Sequence, residues 1–343
     1  MATPGEAIAQ HTGRAEVPEP LTGSAEATAP DGNGAPQELW HGVPLGGWSR
    51  HDVRLPLRTM SVRVTPGVNG EQPRQPAVMV HGLGGSSLNW TRFAGLMANR
   101  LDTVAVDLPG FGWSPPSRDG ETSPAAQALA VADVISHGGV VAGGPVHLFG
   151  NSMGGAVAVT LAATRPDLVR SLVLISPALP ALRPRRSNVG LPLMAIPGVA
   201  TLIQRRMRAL SPEQRLQNLV NLCYGDPSSL TSAERAAAIN EVIRRRTQPY
   251  ADDELLRSLR ALMKAYLDPG PGRLWALAKR VRVPTLIIYG EKDKLVDGPL
   301  GARQARAFND ARVVLLPDSG HVPQIEHPEL VAQLVTEHLD SLD

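Results

Sequence analysis

From about residue 76 onward, short apolar runs alternate with longer stretches whose apolar residues recur every three or four positions. PAVMVHG (76–82), TVAVDLPG (103–110), PVHLFG (145–150) and SLVLISPA (171–178) are nearly continuous runs of strand length. Helical spacing fills the intervals near 88–100, 124–136 and 153–164. Strands without polar alternation are buried on both faces, and strands separated by helices pair in parallel, so the rhythm predicts βαβ units in a parallel sheet covered on both sides. Ahead of it, the alternation in VRLPLRTMSVRV (53–64) predicts one or two antiparallel strands. From Leu179 to Ala278 only helical spacing is found, as in ELLRSLRALMKAYL (254–267). The rhythm resumes at Pro284, with TLIIYGEKD (285–293), a helix near 301–309, VVLLPDSGH (313–321) and a final helix from about 328 to 342. The expected organisation is a disordered Ala/Pro/Gly-rich tail over 1–40, a core over 41–178, a helical cap inserted over 179–280, and the rest of the core over 281–343.

Composition adds few constraints, and charge distribution adds more. The 343 residues are 43% hydrophobic, ordinary for a globular chain, and the formal net charge of +2 gives no reason to expect nucleic acid as a partner. Residues 181–280, however, hold 17 Lys/Arg against 8 Asp/Glu, while the remainder is net negative. Such a basic segment is either a solvated helical face or an attraction for anionic substrates and surfaces. One cysteine, Cys223, excludes an internal disulfide. The first residues lack a basic segment followed by an apolar run, so a cytoplasmic location is expected. The longest apolar stretch, 189–203, is shorter than a spanning helix needs and contains Pro192 and Pro197, which favours a lid or lining over a membrane span. Oligomeric state is left open.

The candidate chemistry centres on Gly150-Asn151-Ser152-Met153-Gly154. A strand pattern gives way there to a helix pattern with almost no connection, which places Ser152 on a sharp turn at the end of the sheet. The flanking glycines let the two backbones approach, and the helix N-terminus points at charge developing on a substrate. A serine hydroxyl needs a base. His321, His327 and His338 follow in the chain order such an arrangement requires. His338 has a solvated pattern and His327 begins a helix, whereas His321 follows an apolar run on a loop leaving a strand. Asp293 leaves the preceding strand in the same way and is the candidate acid. Glu291 lies too near the strand end, and Asp297 a turn too far along. The oxyanion would be held by the backbone N–H of Met153 and by a second donor in VMVHGLGGSS (78–87), with Leu83 preferred and Gly84 as the fallback. That glycine loop matches no nucleotide-binding fingerprint, no metal-ligand spacing such as HExxH occurs, and no cofactor is expected.

HG-x-GG (81–85), DLPGFGWS (107–114), GNSMGG (150–155), GEKDKLV (290–296) and SGHVPQIEHPE (319–329) resemble, in order and spacing, the α/β-hydrolase fold superfamily. The resemblance covers roughly 75–342, with 179–280 similar to the family's variable cap only in position and helicity. It implies an α/β fold with a mostly parallel eight-stranded sheet, helices on both faces and an inserted helical cap, and Ser152, Asp293 and His321 as a triad. The DLPGFGWS loop would follow the fourth strand and border the pocket, for which Gly84, Trp90, Phe111 and Val322 are candidates. Ser152 argues against the dehalogenase and epoxide hydrolase branches, which use aspartate at the elbow. The elbow is similar to that of carbon–carbon hydrolases of ring-cleavage products. That subgroup tends to have a tryptophan where this chain has Val322, and a proline in the loop where this chain has Leu83-Gly84-Gly85-Ser86. A carboxylic or lipid-like ester is therefore the expected small-molecule substrate. The carbon–carbon hydrolase and a low-turnover ligand-binding homologue are the alternatives.

Overall fold

A computed structural model describes residues 39–342 apart from 41–42, 45–47, 66–73, 142–143, 181–197, 200–204 and 207. The tail expected over 1–40, its last two residues excepted, and nearly all of the apolar stretch 189–203 lie outside the described residues. In chain order the described elements are β1 (Leu39–Trp40), β2 (Val43–Pro44), β3 (Ser49–Leu55), β4 (Arg58–Val64), β5 (Gln75–Val80), α1 (Thr91–Leu96), β6 (Leu101–Val106), α2 (Pro124–His137), β7 (Val146–Asn151), α3 (Met153–Thr164) and β8 (Val169–Ile175). The helical segment follows, with α4 (Pro212–Cys223), α5 (Ser232–Arg246), α6 (Ala251–Leu267) and α7 (Leu274–Ala278). The chain then closes with β9 (Thr285–Gly290), α8 (Gly298–Gln304), β10 (Ala311–Leu316), α9 (Pro323–Glu326) and α10 (Pro328–Asp340).

Eight strands form one sheet in the order β10-β9-β8-β7-β5-β6-β4-β3. All neighbours pair in parallel except β3 with β4 and β4 with β6. The early alternation thus becomes an antiparallel hairpin turning at Pro56-Leu57, and the apolar runs become the parallel strands. β7 and β9 are buried along their whole length, as strands covered on both faces must be. On one face, α2, α3 and α7 share a core cluster with residues such as Val80, Leu148 and Leu174. On the other, α1 and α10 pack with Met79, Phe149 and Ile288. Helix α3 is apolar all round and correspondingly buried along its whole length but for its last residue, Thr164.

Two expectations are corrected. The helix expected over 88–100 is a 3-10 turn, Ser87–Trp90, followed by the short α1, because the chain turns at Met97, whose carbonyl accepts from both Arg100 and Leu101. His338 is not solvated: it is 5% exposed, since it lies three, four and seven residues beyond Val335, Leu334 and Val331 on the buried stripe of α10.

The parallel strands β5 to β10 all point their C-terminal ends the same way, and the loops carrying Leu83, Asp107, Ser152, Asp293 and His321 leave from that edge. Open α/β sheets bind ligands there. At the opposite edge a cleft of about 600 Å³ is lined by Gln75, Arg170, Pro284, Ser341 and Leu342. It lies by the N-terminal starts of β5, β8 and β9, away from every candidate catalytic side chain.

Candidate active site

Ser152 connects β7 to α3 as a single residue with φ 54° and ψ −119°, a conformation that L-residues rarely adopt. Strain of this kind costs of order 1–3 kcal/mol and persists only where the surroundings impose it. Here they do. Ser152 N–H donates to Ile175 O at 3.0 Å, and Ser152 O accepts from Ala178 N at 2.8 Å, so β8 and the chain beyond it hold the turn from both sides. The flanking glycines are required by contact. A Cβ on Gly150 would lie 2.4 Å from Gly154 O, and one on Gly154 would lie 2.3 Å from Val80 O. Met153 opens α3, where the first-turn N–H groups have no intrahelical acceptor.

Asp293 is fully buried. One carboxylate oxygen accepts from Leu295 N at 2.7 Å and Val296 N at 2.9 Å, and the other lies 2.8 Å from His321 Nδ1. A carboxylate held by two backbone N–H groups is fixed in orientation, and it sets the imidazole with Nδ1 toward it and Nε2 on the other side of the ring. The rival acids stand elsewhere: Glu291 is exposed, and Asp297 caps α8 through Leu300 N at 3.0 Å. Asn151 links the Ser152 turn to the His321 loop, its Nδ2 donating to Ile175 O at 3.0 Å and to His321 O at 3.2 Å.

The loop after β5 meets Ser152 closely enough that a Cβ on Gly82 would lie 3.0 Å from Ser152 Cβ. Its shape is set by His81. Nδ1 lies 2.7 Å from Gly82 O, and Nε2 accepts Leu108 N–H at 3.0 Å, joining this loop to the one after β6. Burial pushes its pKa down to about 4, with the Arg245 charge adding to the effect, so the ring is neutral. Asp107 organises the neighbouring loop by accepting from Ser87 N at 2.6 Å and Trp113 N at 2.9 Å. Burial raises its pKa, and these bonds oppose the shift. Gly112, at φ +54°, lies so close that a Cβ would meet the Asp107 carboxyl at 2.1 Å.

Of the pocket candidates, Gly84 (φ +72°) faces the cap, with Leu255 Cδ1 and Arg245 closest to it. Val322 packs in a cluster with Leu216, Val220, Cys223 and Ile325, which joins α4 to the His321 loop. Phe111 is 1% exposed and stands edge-on to His81, supporting the loop instead of presenting free surface. Trp90 is a correction. It is fully buried on the α1/α10 side of the sheet against Phe93 and Phe149, because the 3-10 turn directs it inward.

The basic cap is also tied down. Arg244 Nη1 donates to Gly112 O at 2.8 Å, pairs with Glu241, and lies 4.1 Å from the centre of the Trp113 ring. Arg245 donates to Gly84 O, Arg257 donates to Gly120 O, and Arg208 pairs with Asp252. Arg205 and Arg206 are exposed. His81 and Asp107 are not singled out as site residues by the sequence. The usable signal was an ionisable residue adjoining a glycine-rich loop at the end of a predicted strand.

A model of the alpha/beta hydrolase family matches residues 77–334. Lipase 1 of Psychrobacter immobilis is 27% identical over 258 residues, 75% of this chain and 74% of the relative. A 2-hydroxy-6-oxononadienedioate/2-hydroxy-6-oxononatrienedioate hydrolase of Klebsiella pneumoniae is 28% identical over 292 residues, 82% of this chain and 92% of the relative. Among solved structures, a membrane phospholipase A, described as a bacterial virulence factor, superposes with a TM-score of 0.70 at 26% identity, covering 87% of both chains. Among the described residues no helix is long and apolar enough to cross a membrane.

Proposed function

Because the chain belongs to the alpha/beta hydrolase family, we propose that it hydrolyses carboxylic esters through Ser152, His321 and Asp293, by way of an acyl-enzyme. The observation that carries this reading is the pairing of a strained serine turn between β7 and α3 with a buried 2.8 Å Asp293–His321 hydrogen bond on loops of the same sheet edge.

Ser152 Oγ attacks the acyl carbon as its proton passes to His321 Nε2. Asp293, bound to Nδ1–H, keeps the correct tautomer and stabilises the imidazolium. The oxygen that gains charge is held by Met153 N–H, at the start of α3, and by Leu83 N–H. The tetrahedral species collapses, and the alcohol leaves with the proton from Nε2. Water then loses a proton to the same nitrogen and attacks the acyl carbon; the bond to Ser152 Oγ breaks as Oγ takes that proton back from Nε2, and the acid is released. No step requires a group beyond these residues and water.

Similarity to a lipase and to a phospholipase structure favours esters. Similarity to ring-cleavage-product hydrolases, with the GNSMGG elbow, supports carbon–carbon bond hydrolysis as the second reading. Chromogenic esters of rising chain length and a vinylogous diketone acid, assayed with the wild type and Ser152→Ala, separate the two. The expected result is ester turnover reduced by at least about 10³-fold in S152A. Equal rates for both proteins on every ester would remove the serine mechanism. Fast turnover of the diketone acid with poor ester rates would reverse the order of the readings.

A further inference from the structure

Glu326 lies five residues beyond His321 at the end of α9, and its side chain is nearly enclosed, at 8% exposure. Its carboxylate serves two segments at once. Oε1 accepts from Gly320 N at 2.9 Å, directly before His321, and Oε2 accepts from Gly225 N at 2.7 Å and Asp226 N at 3.4 Å, directly after cap helix α4. The two segments also meet without an intermediary. His321 N–H donates to Cys223 O, the last residue of α4, at 2.6 Å. Their backbones are in contact: a Cβ on Gly320 would lie 2.4 Å from both Cys223 O and Gly225 N, and one on Gly225 would lie 2.8 Å from Asp318 O. Across the loop, a Cβ on Gly290 at the end of β9 would lie 2.1 Å from Gly320 O. The segment ahead of the base is therefore pressed between the sheet and the cap, and Glu326 closes the cap side.

We propose that Glu326 is a positioning residue that straps the end of cap helix α4 to the loop carrying His321, so that the base is set for proton transfer only while that end of the cap is docked. Small displacements of a base cost far more in rate than in substrate affinity, because the oriented geometry is needed in the transition state. On this account the cap is part of the catalytic scaffold as well as a cover, and its docking and the placing of Nε2 are one event. The proposal rests on the serine hydrolase reading, since it assigns Glu326 a part only through His321.

The test measures kcat and KM on the best ester of the panel for wild type, E326A, E326Q and S152A. It also follows the rate at which a fluorophosphonate traps Ser152 and the melting temperature of each protein. E326A, which leaves three donors unanswered, is expected to lower kcat about 30-fold or more with KM within about threefold. E326Q keeps one acceptor but turns an amide N–H toward a donor, and is expected to recover part of that loss, at about 5- to 10-fold below wild type. Trapping should slow in step with kcat, because it needs the same base. If E326A does not fold, E326Q alone decides. Wild-type kcat in folded E326Q, or a loss carried by KM instead of kcat, overturns the strap. Full activity in S152A would instead show that the serine reading itself had failed.

Discussion

Helix α3 has twelve residues and buries eleven of them, whereas helix α5 has fifteen and buries only Glu234. The first is seated by apolar contact on every side, in a cluster with β5, β7, β8, α2 and α7. The second packs Ala238 and Ile239 against the cluster that includes α4 and reaches the sheet's loops by its last turn, where Arg244 and Arg245 extend to glycine carbonyls of the loops after β6 and β5. Apolar contact is non-directional and scales with area, so α3 is placed by bulk. A guanidinium must find its acceptor at one distance and angle, so the last turn of α5 is held over those loops by a few bonds. Ser152 adjoins the first kind of element, and the arginines that reach the neighbouring loops ride on the second. Removing one of the proposed catalytic groups should thus cost the most turnover with the cap still in place, and removing a cap bond should loosen the cap at a smaller cost in rate.

Asp293→Asn gives the largest effect and tests the core side. The asparagine keeps the carbonyl oxygen that accepts from Leu295 and Val296, so the fold is retained. Its amide then faces His321 Nδ1 as a donor, which drives the ring to the tautomer with the proton on Nε2. Such a base cannot take the serine proton, and kcat should fall about 10⁴-fold with the melting temperature nearly unchanged. A loss below about tenfold would mean that the acid is not acting through His321.

The same contrast explains what could be read from sequence. The strands, the serine turn and the placing of Ser152, Asp293 and His321 at one sheet edge were legible because each lies on or shortly after an apolar run whose period fixes its place in the sheet. The Trp90 expectation failed because periodicity does not say which way a short 3-10 turn faces. His338 was misjudged because its stripe on α10 is made only by Val331, Leu334 and Val335 together. The roles of His81, Asp107 and Glu326 were not legible, because each depends on backbone groups that fold brings from 20 to 101 residues away. The arginine-rich cap read as a charge excess, and only the structure distinguishes Arg244 and Arg245, bound to loop carbonyls, from the exposed Arg205 and Arg206.

His81 provides a middle-sized effect where core and cap meet. Its folded pKa of about 4 lies below the ordinary value of 6.5, chiefly through burial. A proton on Nε2 would also oppose Leu108 N–H. The unfolded chain therefore binds the proton first. The stabilisation is complete above pH 6.5 and is lost as pH falls toward 4, by ~3 kcal/mol at pH 4. Denaturant unfolding of wild type and His81→Gln at several pH values isolates the contribution, because the other acid-sensitive groups are common to both. The wild type should lose ~3 kcal/mol more than H81Q between pH 7.5 and pH 4. Parallel curves would show that the ring is not held neutral.

The smallest effect belongs to the cap, and it decides whether the bonds or the charge excess matter there. Arg244→Ala removes the bond to Gly112 O, the pair with Glu241 and the stacking on Trp113, while Gln248 Nε2 still donates to Gly112 O at 2.8 Å. One partly redundant, partly exposed arginine should change unfolding stability by no more than about 1 kcal/mol. Since Ala238 and Ile239 of α5 pack against the α4 cluster and do not replace the grip on the loop after β6, the cap should be cleaved faster by protease under native conditions, with kcat/KM down about 3- to 10-fold. Arg205→Ala/Arg206→Ala removes twice that charge from exposed positions and should leave proteolysis and ester kinetics within about twofold of wild type. If the double variant loses activity on acidic esters while R244A is unaffected, the cap acts through its field and not through its bonds. The contrast between a core seated by area and a cap seated by directional donors would then have to be withdrawn.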